Sequence, residues 1–78
     1  MKKVVLIKNN YDDYLSYLMY LFARKIQIAN KCEIETINCD EYDQKYGVFE
    51  TPCILLVKNK NVKRSVNGFR YIDKIPIF

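Results

Sequence analysis

The tightest constraint on this chain is the order in which two apolar patterns meet in its first half. Val4-Val5-Leu6-Ile7 is an unbroken run of branched side chains, the pattern of a strand covered on both faces, and a strand is predicted over Lys3 to Lys8. Asn9-Asn10 interrupts it. From Asp13 to about Lys31 there is neither Gly nor Pro, and Leu15, Leu18, Phe22, Ile26 and Ala29 recur at helical spacing as the expected buried stripe. Asp12 or Asp13 can cap the start of this helix, and Arg24, Lys25 and Lys31 favour its C-terminal end. Glu33-Ile34-Glu35-Thr36-Ile37-Asn38 then alternates polar and apolar, as a strand with one wet face does. Strand, long helix and strand imply a right-handed crossover with the two strands parallel.

The second half has a different rhythm. Asp40 to Tyr46 is predicted as a short helix ended by Gly47 in a left-handed cap. Cys53-Ile54-Leu55-Leu56-Val57-Lys58 reads as a third strand, Asn59-Lys60-Asn61 as a turn, and Val62 to Asn67 as an antiparallel return. Gly68 ends that strand, and Phe69 to Ile75 is predicted as a final short helix stopped by Pro76. The expected architecture is α/β, in the order βαβ-(α)-ββα, with a four-stranded mixed sheet and helices packed on it. Seventy-eight residues form one domain, residues 1–78, and no linker or repeat divides them.

Composition removes many functions. There is no histidine, so a Ser-His or Cys-His catalytic pair is impossible and the commonest zinc ligand is missing. Cys32, Cys39 and Cys53 have no metal-like spacing and are expected as three reduced thiols; no cofactor and no metal are implied. The apolar runs fall far short of the roughly 20 residues of a membrane span. The opening Met1 to Lys8 lacks the length and cleavage site of a signal peptide, so cytoplasmic residence is the expectation.

Two local passages, in this order, carry a resemblance. Tyr46-Gly47-Val48-Phe49-Glu50-Thr51-Pro52-Cys53-Ile54-Leu55-Leu56-Val57 resembles the passage of thioredoxins and glutaredoxins in which a cis proline leads into a strand. Val66-Asn67-Gly68-Phe69-Arg70-Tyr71-Ile72-Asp73-Lys74-Ile75 is similar to the ending of the small glutaredoxin-like redoxins that reduce ribonucleotide reductase, with its proline absent and one residue inserted before Asp73. The resemblance covers nearly the whole chain and implies a thioredoxin-like fold with Pro52 cis.

The departure matters more. Such redoxins open the first helix with Cys-x-x-Cys, where the helix dipole and free N–H groups acidify the attacking thiol. Here the corresponding stretch is Tyr11-Asp12-Asp13-Tyr14, and the nearest cysteine is Cys32. Dithiol–disulfide exchange by the family mechanism is thereby excluded.

The leading expectation is a redox-inactive binding module that holds a protein partner in the former substrate groove. The resemblance would line that groove with Tyr11, Tyr14, Thr51, Pro52, Gly68 and Phe69. Seven tyrosines are more than a core of this size absorbs, and Tyr17 and Tyr20 fall on the polar side of the helix, where aromatic rings with a polar tip suit protein interfaces. A second copy of the chain is another partner such a face fits. The alternative is a monothiol redox protein using Cys53, whose plainer reading is a small buried hydrophobe. The third is nucleic-acid binding: residues 51–78 hold six Lys/Arg against Asp73 alone, and Lys58, Lys60, Lys63, Arg64 and Arg70 form a basic patch with Phe69 and Tyr71 for stacking. The plainer reading of that patch is a hairpin kept soluble at a sheet edge.

Overall fold

The structure, a computed structural model, describes residues 1–9, 14–47, 49–67 and 75–78. Its elements are β1 (Lys2–Lys8), α1 (Tyr14–Asn30), β2 (Glu33–Asn38), β3 (Cys53–Lys58) and β4 (Asn61–Asn67). They build a four-stranded mixed sheet in the order β2-β1-β3-β4. β1 and β2 run parallel, with Leu6 beside Thr36, and β3 runs antiparallel to both β1 and β4. The α/β class, the mixed sheet and the parallel first pair agree with the sequence, and the strand limits differ by a residue at β1 and β4.

β1 and β3 are central and buried on both faces, and alternation divides their side chains between two clusters. Val4, Leu6, Ile54 and Leu56 meet Met19, Ala23 and Ile26 of α1. Val5, Ile7, Cys53, Leu55 and Val57 point the other way, under Ile37, Tyr42, Tyr46, Phe49 and Val62. Each fully buried Val, Leu, Ile or Met among them contributes about 1.5–3 kcal/mol by leaving water. One face of the sheet is thus covered by a helix and the other by the segment between β2 and β3.

That segment corrects one expectation. Asp40 to Tyr46 forms turns and not a helix. In a helix the N–H of Tyr46 would bond the carbonyl of Tyr42; here it donates to the Tyr42 hydroxyl at 3.0 Å, and that hydroxyl donates to the carbonyl of Gly47 at 2.6 Å. The N–H of Lys45 is likewise taken by the Asp43 carboxylate at 3.0 Å. These side-chain partners compete with the helical ladder, and Gln44, at φ 60°, is left-handed. Gly47 does adopt positive φ, 108°, but ends a turn closed by its N–H on the Gln44 carbonyl.

The buried stripe of α1 is a second correction. It consists of Ser16, Met19, Ala23 and Ile26, while Leu15 and Phe22 pack from the flanks and Ala29 is exposed. Small residues at 16 and 23 let the helix lie close to the sheet, and the larger side chains then wrap around the contact. The last turn of α1 carries no basic residue. Lys31 follows it at φ 52°, its N–H on the Ile28 carbonyl and that of Cys32 on the Gln27 carbonyl, a Schellman cap made without glycine.

The β3–β4 turn has two central residues, Asn59 and Lys60, both at positive φ (52° and 70°), as a type I′ hairpin demands. Beyond it the register slips: Val57 faces Val62, but Leu56 faces Arg64, so Lys63 is the extra residue of a bulge. Val62 accordingly packs into one cluster and Val66 into the other.

The Thr51–Pro52 peptide bond is cis. Of the final predicted helix, residues 69–74 lie outside the described residues, and Ile75 to Phe78 is not helical. Among the described residues no helix is long and apolar enough to cross a membrane.

Candidate binding site at the tyrosine-bearing corner

The ends of the strands bring several predicted residues to one end of the sheet. β1 and β2 finish there together at Lys8 and Asn38, β3 starts there with Cys53 opposite Ile7, and β4 finishes there at Asn67. Tyr14 opens α1, and Thr51 and Pro52 lead into β3. Tyr14 is 74% exposed, Thr51 is half-buried and Pro52 is buried. Tyr11, Gly68 and Phe69, the other expected groove residues, lie outside the described residues, as does Arg70 of the basic patch.

Tyr14 opens onto a recess of about 570 Å³ between α1 and β2, bounded by Lys8, Tyr17, Tyr20 and Thr36, with Leu6 and Ser16 at its floor. Thr51 and Pro52 do not line it. Tyr17 and Tyr20 are 57% and 40% exposed, so three amphipathic rings stand around one concavity. The floor is held by Ser16, 5% exposed, whose hydroxyl accepts the N–H of Asn9 at 3.3 Å and so ties the end of β1 to the helix. The sequence places Tyr17 and Tyr20 on the polar side of the helix and Tyr14 in the expected groove, and the structure brings all three to one recess. Lys8 and Thr36 carried no such signal, because only the crossover places them opposite α1.

Across β2, on the other face, lies a second recess of about 320 Å³ to which Thr36 also contributes. Its acidic groups are Glu35, Glu41 and Asp43, and Lys45 is its cation. Lys3 reaches Glu35 at 2.8 Å, and this hydrogen bond, then one with Tyr46, holds the ammonium of Lys3 above its ordinary range. Lys3 and Lys45 both stand over the Tyr46 ring, at 5.7 and 5.5 Å from its centroid.

Cys32, Cys39 and Cys53 do not line the tyrosine recess and form no disulfide. Cys53 is fully buried, and desolvation pushes its thiol up to about 11, the reverse of what a nucleophile needs. Burial also raises the thiol of Cys32, which packs at the edge of the helix-side cluster. Cys39 joins the same apolar cluster as Cys53, a proximity that the strand ends alone did not indicate.

Lys58, Lys60, Lys63 and Arg64 of the hairpin are all exposed, and only Lys58 and Arg64 are placed on one face by the strand register. Lys58 and Arg64 project on the helix side, Lys60 occupies the turn and Lys63 the bulge.

Comparison of the chain with protein-family models and with curated protein sequences finds no match to either.

Proposed function

We propose that this chain is a redox-inactive protein of thioredoxin-like architecture that binds a segment of a protein partner at its tyrosine-bearing corner. The observation that carries the reading is the exposure of Tyr14, Tyr17 and Tyr20 around one recess. Rings with a polar tip bury large area on binding at small entropic cost, which is why such residues recur at interfaces.

Three further observations support it. The four-stranded mixed sheet with a parallel β1–β2 pair and α1 packed on it is compatible with a thioredoxin-like core. Tyr14 stands at the opening of α1, where the resemblance would put the second cysteine of the redox pair. Cys53, the thiol next to Pro52, is buried and resists ionisation, which disfavours a monothiol enzyme.

The test pairs two measurements on one protein. Thiol–disulfide exchange is assayed with glutathione and with a dithiol, for wild type and Cys53→Ser, and peptide-library binding is compared for wild type and Tyr14→Ala/Tyr17→Ala. Peptide binding lost in the tyrosine variant, with no exchange activity, supports the proposal. Exchange activity that vanishes with Cys53→Ser overturns it in favour of a redox protein.

A further inference from the structure

The two edges of the sheet are treated differently. β4 carries Lys63 and Arg64 and is bent by the bulge at Lys63, devices that discourage pairing with another chain. β2 is the opposite edge, and it has no proline, no lysine and no bulge. The N–H of Cys39 turns inward to the Lys8 carbonyl at 2.8 Å. Backbone groups alternate along a strand, so those of Glu35 and Ile37 also face β1, and those of Ile34 and Thr36 face outward.

The surroundings of this edge alternate as well. Ile34 and Thr36 project on the helix side, beside the tyrosine recess, and Glu35 projects on the other, beside the acidic one. Thr36 borders both. Any strand laid along β2 would therefore send successive side chains to opposite recesses.

We infer that the β2 edge adds a strand from a protein partner, an extended segment in which apolar or aromatic residues alternate with basic ones. This deepens the binding-module reading on which it rests, giving the partner a location and a chemistry. The apolar residues enter between Tyr14, Tyr17 and Tyr20, where Lys8 disfavours a second cation. The basic residues meet the exposed carboxylates of Glu41 and Asp43; Glu35 is already paired with Lys3, and Lys45 lies over Tyr46. Main-chain bonds to Ile34 and Thr36 supply affinity, and the two recesses supply selectivity. A second copy of the chain is a poor occupant of this edge. Pairing β2 with itself brings Glu33 and Glu35 of the two copies together on one face, and like charges across strands destabilise a sheet.

The experiment uses two synthetic peptides, one alternating Val or Tyr with Lys and one with Glu in place of Lys, titrated into the full chain by isothermal calorimetry. The lysine peptide is expected to bind about tenfold or more tightly than the glutamate peptide, with slowed amide exchange at Ile34 and Thr36. Thr36→Pro removes an outward N–H, a change sheet edges tolerate, and should abolish binding with the circular dichroism retained. Glu41→Lys changes an exposed side chain, leaves the bond from Lys45 to Asp43 in place and should erase the preference between the peptides. Binding indifferent to both variants overturns the edge proposal and leaves the binding module standing. Binding by neither peptide, with self-association that Thr36→Pro removes, overturns it in favour of a second copy. Binding by neither peptide without self-association overturns it outright.

Discussion

The N–H of Phe78 donates to Oδ1 of Asn30 at 3.1 Å, across 48 residues of sequence. The amide nitrogen of the same side chain donates to the carbonyls of Ile26, at 2.8 Å, and Pro76, at 3.0 Å. One asparagine thus joins the end of α1 to the last residues of the chain, where the Phe78 ring packs on the helix-side cluster with the Lys2 ammonium 5.7 Å from its centroid. Asn30→Asp would set a carboxylate against two carbonyl oxygens. It is expected to lose about 1–3 kcal/mol of stability and to be worse than Asn30→Ala. Urea unfolding of the two variants checks the order; an aspartate variant as stable as the alanine one would contradict it.

The hairpin turn offers a change in the opposite direction. Lys60 sits at φ 70°, where a side chain crowds the backbone and glycine does not. Lys60→Gly makes the Asn-Gly pair favoured in type I′ turns. Its expected gain is about 0.5–1 kcal/mol after the larger chain entropy of glycine is subtracted. The thermal midpoint should rise, and a fall would show that the turn is not held as described.

Cys53 makes stability depend on alkaline pH. Its thiol is shifted from 9.0 up to about 11 by burial, so between those values the unfolded chain has lost a proton that the folded chain keeps. The unfolded state is therefore favoured as pH rises. The contribution is fully present below pH 9 and is lost by about pH 11, amounting to about 2–3 kcal/mol for a shift of this size. Tyrosines and lysines also titrate there, so the readout is the difference in slope between wild type and Cys53→Ala. Parallel slopes would contradict a buried, protonated thiol.

Access to that thiol depends on the segment above it. The Tyr42 hydroxyl holds the segment through Tyr46 and Gly47, and burial raises the phenol above its ordinary range. Tyr42→Phe keeps the ring and removes both bonds. The expected result is about 1–2 kcal/mol easier opening of this face, hence labelling of Cys53 by a thiol reagent faster by about tenfold, with smaller change in global unfolding. Unchanged labelling would mean that the apolar packing of Tyr46 and Phe49 holds the segment by itself.

Much of the sheet was legible in the sequence because its strands state their environment locally. Val4 to Ile7 and Cys53 to Val57 are apolar throughout and are buried on both faces. Glu33 to Asn38 alternates, and forms an edge. Of the stripe predicted from helical spacing, Ile26 is buried, and the rest of the buried face is Ser16, Met19 and Ala23. Close approach to the sheet selected Ser16 and Ala23 over Leu15 and Leu18, a decision made by the partner surface. Asp40 to Tyr46 was misread because the competitors of its helical bonds are a tyrosine hydroxyl four residues back and an aspartate two residues back. The tyrosines of the site could be seen to be surplus to the core. Their grouping with Lys8 and Thr36 is a product of the crossover, which no local pattern encodes.

The bulge at Lys63 makes β4 a strand with a phase shift. Without it Val62 and Val66, four residues apart, would point to the same face; with it each anchors a different cluster. Sliding β4 along β3 by a single residue would turn each valine to the opposite face of the sheet. The extra residue thus lets one edge strand contribute a valine to each side of the sheet, so that two otherwise independent clusters share a single strand.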